Sequence, residues 1–251
     1  MVKNLVIAGM LLLAAACTPE GNEVMLEVSI QPKWDGQDLT YQNLGLVHPQ
    51  TGDTFRFDRS DMLLSNIALI KEDGSLLPLV TQDGEPLFAF FTKGKPWTFD
   101  APDNIPKGHY RGISFMVGLD SAVNFGDPSV WKVGHPLNPT VNSLHWGWQG
   151  GYVFMALEGF YKELGASKPF LYHIATLENR MPVVVEGDLH MDGSRKLILN
   201  WNADRLFYGV HGIRPEEDGS FSHSTFDGGV ANRISQNAGL SFEWVALENK
   251  K

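Results

Sequence analysis

Many short segments of this 251-residue chain alternate apolar residues with other residues. In residues 25–30, Leu26, Val28 and Ile30 alternate with methionine, glutamate and serine. A period of two residues is typical of a β-strand with one buried face. Similar strand-like segments lie at 53–58, 64–74, 110–119, 151–159, 169–175, 181–191 and 195–202. The sequence therefore predicts an all-β protein.

Turn-forming residues separate these segments, for example EDG at 72–74, IPKGH at 105–109 and MDGS at 191–194. Short strands at this spacing favour an antiparallel β-sandwich with long loops. Helical character is confined to 228–238, where a short helix is predicted after two glycines. We expect at most one or two short helices. Because no internal repeat or long linker interrupts the pattern, a single domain over 25–251 is the simplest division.

The N-terminus has the layout of a bacterial lipoprotein signal. Residues 1–16 contain one basic residue, Lys3, then an apolar run and three alanines. That run is too short to span a bilayer as a mature helix. Cys17 follows as in a lipobox, although leucine is more usual three positions before the cysteine. We predict a signal peptide over 1–16, lipidation of Cys17 and a polar tether over 17–24. The lipid would anchor an exported protein to a membrane, and we expect the outer membrane, facing the periplasm or the cell surface.

Composition excludes several classes of protein. Cys17 is the single cysteine, so acylation leaves no thiol for a disulfide and stability must come from the packed core. The formal net charge is −9, or −10 once Lys3 is removed, and no more than two basic residues are consecutive, so nucleic acid is not an expected partner. The sequence lacks C-x-x-C-H and the common hydrolase, metalloprotease and nucleotide-binding motifs. We therefore expect a non-enzymatic protein with no catalytic residues and no haem of its own.

The most unusual segment is NSLHWGWQGGY, residues 142–152. On a strand, Trp146 and Trp148 point to one face while His145 points to the other, unless the neighbouring glycines bend the chain. Two interpretations remain open for these tryptophans. They are either ordinary core aromatics, as in many β domains, or residues that take part in function.

Four segments resemble the family of MbnP-like proteins: residues 41–75, 105–120, 144–159 and 169–175. The most specific piece is the W-x-W-x-x-G-Y-x-F run at 146–154, followed by F-x-Y-H-I. Members of this family are exported bacterial proteins associated with copper and with a MauG-type di-haem peroxidase. The resemblance implies that such a partner oxidises a tryptophan to kynurenine, and that the modified residue contributes to a copper site together with histidines.

Carried onto this chain, the resemblance implies that Trp146 or Trp148 is the modified residue and that His173 is the best candidate copper ligand. His145 and His223 are candidates for a second histidine ligand. In many relatives a histidine follows the asparagine of SAVNFGDPS, where this chain has phenylalanine. A complete ligand set is therefore not implied.

The residues themselves are compatible with that chemistry. Alternation in PFLYHIA places His173 on the opposite face from Phe170, Tyr172 and Ile174. A histidine among apolar neighbours is either a hydrogen-bonded core residue or a ligand oriented by its second nitrogen. Imidazole suits copper. Intact tryptophan is a hydrogen-bond donor only, whereas the aryl amine of kynurenine carries a lone pair that can bind a metal.

A different function also fits the lipid anchor, the β architecture and the seven tryptophans. The protein would then be a surface-exposed binding module for glycans or another ligand, with no metal, because aromatic side chains also stack on sugar rings. This alternative predicts that Trp146 and Trp148 are exposed on one flat face and remain chemically intact.

Overall fold

The computed structural model describes residues 23–42, 45–147, 150–163, 165–224 and 229–250. The predicted signal peptide, Cys17 and most of the predicted tether lie outside these residues, and so does Trp148. In the described ranges, no helix has the length and apolar character needed to span a membrane.

Two sheets make up most of the described chain. Their strands are β1 (Glu23–Trp34), β2 (Gln37–Asp38), β3 (Leu46–Val47), β4 (Thr54–Lys71), β5 (Leu76–Pro78), β6 (Ala89–Phe91), β7 (Thr98–Pro106), β8 (Gly108–Val117), β9 (Val153–Glu163), β10 (Ala166–Ala175), β11 (Met181–Met191), β12 (Arg195–Asn202), β13 (Phe221–Ser222) and β14 (Phe242–Asn249). The all-β fold class predicted from the sequence is confirmed.

The smaller sheet has the strand order β14-β12-β1-β2, with β7 also paired to β1. The larger sheet has the order β11-β8-β4-β9-β10-β13, and β3, β5 and β6 pair with the long strand β4. Most pairs are antiparallel, as expected for a sandwich. Two are parallel, β1 with β12 and β10 with β13. The second of these pairs positions the candidate site described below.

The core lies between the sheets and follows the predicted alternation. In β1, Leu26, Val28 and Ile30 are buried. One aromatic cluster is centred on Phe207, whose ring packs against residues of both sheets. Trp201 is fully buried and stacks on Trp97 with ring centroids 5.0 Å apart. These contacts join the layers without any disulfide.

Helices are short and occupy connections. They are α1 (Ser121–Asn124), α2 (Pro139–Asn142), α3 (Arg205–Tyr208), α4 (Pro215–Asp218) and α5 (Val230–Ala238). The predicted helix within 228–238 is confirmed by α5. The other four are single turns of four residues, more numerous than expected. Asp120 and Asn138 cap α1 and α2 by accepting hydrogen bonds from backbone N–H groups, which explains helices too short to show a sequence period.

Candidate functional site

His173 lies on β10, on the face of the larger sheet that points away from the core. Phe170, Tyr172 and Ile174 are buried on the opposite face, as the alternation predicted. The His173 side chain keeps 14% of its accessible surface. It is therefore neither a fully buried core residue nor a freely solvated one.

His223 is brought beside His173 by the parallel pairing of β10 with β13. The register pairs Tyr172 with Ser222, so the two histidines occupy the next positions along adjacent strands. Ser224 fixes this arrangement, because its hydroxyl donates to the carbonyl of His173 and accepts from the N–H of Ala175, both at 2.7 Å. The two imidazole centroids are 5.2 Å apart.

Trp146 reaches the same place from a glycine-rich loop that connects α2 to β9. The backbone N–H of Trp146 donates to the carbonyl of Gly151 (2.8 Å), and the backbone N–H of Gly151 donates to the carbonyl of Gly147 (3.1 Å). Both glycines have positive φ, +89° at Gly147 and +64° at Gly151. The bend that glycine made possible is therefore present, and Trp146 does not belong to a strand.

The indole of Trp146 lies against both histidines. Its ring centroid is 5.8 Å from that of His173 and 5.8 Å from that of His223. Trp146 retains 42% of its accessible surface, which is high for a tryptophan in a β domain. The three rings form a half-open cluster at the protein surface, hereafter the Trp-His-His cluster.

A buried asparagine anchors the loop. Asn124, at the end of α1, is fully buried and accepts a hydrogen bond from the N–H of Tyr152 (2.9 Å). Tyr152 in turn donates its hydroxyl proton to the carbonyl of Leu137 (2.6 Å). Since Tyr152 directly precedes β9, these bonds join the loop to the sheet and to the segment that contains α1 and α2.

Charged residues extend from His173 across three strands. His173 Nε2 lies 2.8 Å from Glu158 Oε1 on β9, and the same oxygen accepts from Arg59 Nη1 on β4 at 2.9 Å. Burial alone would raise the pKa of Glu158, but the hydrogen bonds from His173 and Arg59 outweigh it and hold that pKa below its usual value. Glu158 is therefore a carboxylate at neutral pH.

The other nitrogen of His173 has a different environment. Nδ1 is buried and has no hydrogen-bond partner in the described part of the chain. Buried polar atoms are nearly always paired, so this unpaired imidazole nitrogen is a candidate ligand atom for a metal ion. This free lone pair fits a metal that prefers imidazole, such as copper.

The remaining predicted residues lie in different places. His145 packs its ring against Tyr152 (4.6 Å), accepts from the N–H of Gly147 through Nδ1 (3.1 Å) and leaves Nε2 buried without a partner. Burial lowers the pKa of His145. Its ring is not among those that contact Trp146, whereas His223 is. Trp148 lies outside the described residues.

Among the described residues, no group of three or more histidine, cysteine, aspartate and glutamate side chains is arranged to hold a metal ion. The Trp-His-His cluster supplies two imidazoles. The third member of the cluster, Trp146, is in contact with both imidazoles.

Sequence reasoning missed four residues of this site. Glu158, Arg59, Ser224 and Asn124 received no role, although Glu158 interrupts the apolar run of β9 on the same face as His173. A carboxylate at that position could have been recognised from the sequence as a candidate partner of His173. Ser224 carried none, since its partners are about fifty residues earlier in the chain.

Comparison with known proteins agrees with this fold. The family model for MbnP matches residues 23–224, most of the chain. The chain belongs to the MbnP family. This confirms the resemblance noted in the sequence. The solved structure of MbnP from Methylosinus trichosporium matches with a TM-score of 0.50 and 17% identity, covering 75% of this chain and 79% of that one. At this identity the structural likeness concerns the fold. No curated protein sequence matches the chain.

Proposed function

We propose that this MbnP-family protein binds copper at the Trp-His-His cluster through His173, His223 and a kynurenine formed from Trp146. The observation that carries the proposal is the contact of one half-exposed tryptophan with two histidines, one of which keeps a buried unpaired nitrogen. Copper, when bound there, would be held by imidazole nitrogens and the aryl amine. We propose that the protein acts in copper acquisition or homeostasis.

Modification of Trp146 gives the cluster the donor that it otherwise lacks. An indole N–H carries no available lone pair, so the unmodified cluster offers two nitrogen ligands. Opening of the indole converts its nitrogen into a primary aryl amine, which is a third neutral donor. A set of three nitrogen donors suits copper better than magnesium or calcium, which prefer oxygen.

The chemistry needs an external oxidant. The C2–C3 bond of the indole breaks and each carbon gains an oxygen from one of two hydrogen peroxide molecules, which are reduced to two waters. Hydrolysis then releases the C2 formyl group as formate and leaves kynurenine. We propose that a MauG-like di-haem peroxidase supplies this oxidation, because the chain has no haem-attachment motif. The exposed indole is accessible to such a partner. The protein is thus a substrate and a copper carrier, not an enzyme.

The exported location is part of the same proposal and rests on residues 1–17 of the sequence. An acylated Cys17 would anchor the domain to a membrane, facing the periplasm or the cell surface, where it meets exported peroxidases and extracellular copper.

The decisive experiment is an intact-mass measurement and tryptic map of protein purified from its native host. We expect a gain of about 4 Da, the difference between an indole and kynurenine, on the peptide that contains Trp146, with copper bound. Trp146→Phe should abolish both the mass gain and tight copper binding. Trp148→Phe, two positions further along the sequence, is the matched control and should keep both.

Histidine variants test the ligands separately. His223→Ala should lower copper affinity strongly, whereas His190→Ala, an exposed histidine on β11, should leave it unchanged. An unaltered Trp146 together with no copper in the native protein would refute the proposal. The glycan-binding interpretation would then take its place, and the exposed indole would be a stacking surface.

A further inference from the structure

The two ring nitrogens of His173 are in unlike environments, and this has a chemical consequence. Nε2 lies 2.8 Å from Glu158 Oε1, whereas Nδ1 is buried without a partner. A carboxylate only accepts hydrogen bonds, and a neutral imidazole carries one N–H. The proton of neutral His173 is therefore on Nε2, where it donates to Glu158, and the free lone pair is on Nδ1.

We infer that Glu158 is a positioning residue that holds His173 in the Nε2-protonated tautomer, so that Nδ1 is the atom that binds the metal. This inference rests on the proposed function, because it concerns which atom of the Trp-His-His cluster meets copper. Metal-binding histidines commonly donate their other N–H to a carboxylate, which fixes the tautomer and the ring orientation.

Glu158 is itself held in place by neighbouring charges. Its Oε1 also accepts from Arg59 Nη1 at 2.9 Å, and the Nε of Arg59 donates to Asp61. Asp61 is nearly buried, with 5% of its side-chain surface exposed. Arg59 and Glu158 are register partners on β4 and β9. The row Asp61, Arg59, Glu158 and His173 therefore crosses three adjacent strands of one sheet, and none of its members can rotate without breaking a charge-assisted hydrogen bond.

The two sides of the His173 ring differ in their partners. Glu158, itself held by Arg59, contacts Nε2, whereas Nδ1 is buried with no hydrogen-bond partner among the described residues. His145 also keeps a buried unpaired nitrogen, but its ring packs on Tyr152, whereas the His173 ring lies against Trp146 and His223. The nitrogen that bonds the carboxylate and the nitrogen available to a metal are therefore different atoms of the ring, as in other metal-binding histidines.

The tautomer can be measured directly by ¹⁵N NMR on histidine-labelled, metal-free protein near pH 8, where a free imidazole is neutral. We expect His173 Nε2 to appear as the protonated nitrogen and Nδ1 as the unprotonated one. Glu158→Ala should convert this into a mixture of tautomers. Glu158→Gln keeps an acceptor oxygen and should retain the wild-type pattern. His173→Gln assigns the signals.

Copper binding is the second readout. In kynurenine-containing protein, Glu158→Ala should weaken copper binding roughly 10- to 100-fold, the range seen when the hydrogen-bond partner of a ligand is removed. Glu158→Gln should recover most of the loss. Glu186→Ala is the control, because Glu186 is an exposed carboxylate on β11 whose ion-pair distance to Arg111 is 4.0 Å.

The possible outcomes separate the two ideas. A proton on Nδ1 in the wild-type protein would overturn the inference, whether or not copper binds. Equal copper affinities of wild type and Glu158→Ala would also overturn it. If the tautomer is as inferred but kynurenine-containing protein binds no copper, the proposed function fails and the positioning of His173 by Glu158 stands.

Discussion

The loop that presents Trp146 should be far more sensitive to an added methyl group at Gly151 than at Gly147. Both glycines have positive φ, +64° and +89°, so either alanine substitution incurs backbone strain. A residue with a Cβ costs roughly 1–2 kcal/mol in the left-handed region. For Gly147→Ala this is the whole expected cost, because nothing lies within 4 Å of the added Cβ.

Gly151→Ala adds a second cost. The new Cβ would overlap the side-chain amide of Asn124, with both Cγ and Oδ1 only 2.8 Å away. Asn124 is fully buried, so it must either stay overpacked or move and break its bond to the N–H of Tyr152. Overpacking costs roughly 1–3 kcal/mol, and a buried N–H left unpaired costs a similar amount. We therefore expect a total destabilisation of about 2–5 kcal/mol for Gly151→Ala.

Urea denaturation of the two variants and the wild type tests this difference. We expect an unchanged slope and a midpoint that falls more for Gly151→Ala, with the free energies of unfolding of the two variants differing by about 1–3 kcal/mol. Equal destabilisation by Gly147→Ala and Gly151→Ala would refute the reasoning, because it would mean that Asn124 does not hold the loop.

Two further predictions concern pH and the core. Hydrogen bonds to Glu72 and Asp188 raise the pKa of His109 above its ordinary 6.5, so its stabilising contribution is complete below about pH 6.5 and is lost as pH rises through the raised value. The difference in urea midpoint between wild type and His109→Gln should shrink over that rise, and a pH-independent difference would contradict it. Phe207→Ala should cost about 3–5 kcal/mol in calorimetry or denaturation, since the ring is fully buried in the aromatic cluster. Val133→Ala, at a side chain 91% exposed, should change stability by less than about 0.5 kcal/mol, and similar losses in both would contradict the packing argument.

Local periodicity predicted much of the fold because the face of a strand is a local property. The alternation in PFLYHIA placed His173 away from Phe170 and Tyr172, and the structure has the same arrangement. The helix α5 was also predicted, with Ile234 and Ala238 on its buried side. The single-turn helices were not, because four residues are too few to show a period of 3.6.

The alternation of side chains along a strand does not apply to the segment around Trp146. Alternation would place Trp146 and His145 on opposite faces of a strand, but positive φ at Gly147 and Gly151 closes the chain into a loop. The sequence shows that glycines permit such a bend. It does not show whether the bend forms, because that depends on Asn124, a residue from a separate segment that meets the loop only in the folded protein.

The choice between His145 and His223 shows why nearness in sequence is a poor guide to a shared site. His145 is adjacent to Trp146, yet its ring packs on Tyr152. His223 is separated from Trp146 by several strands. It reaches Trp146 because β13 pairs in parallel with β10 and because Ser224, just after β13, hydrogen-bonds to two residues of β10. A strand of two residues has no recognisable period, and its partner is set by tertiary contacts. The second histidine of the cluster was therefore identifiable only after the strand order was known.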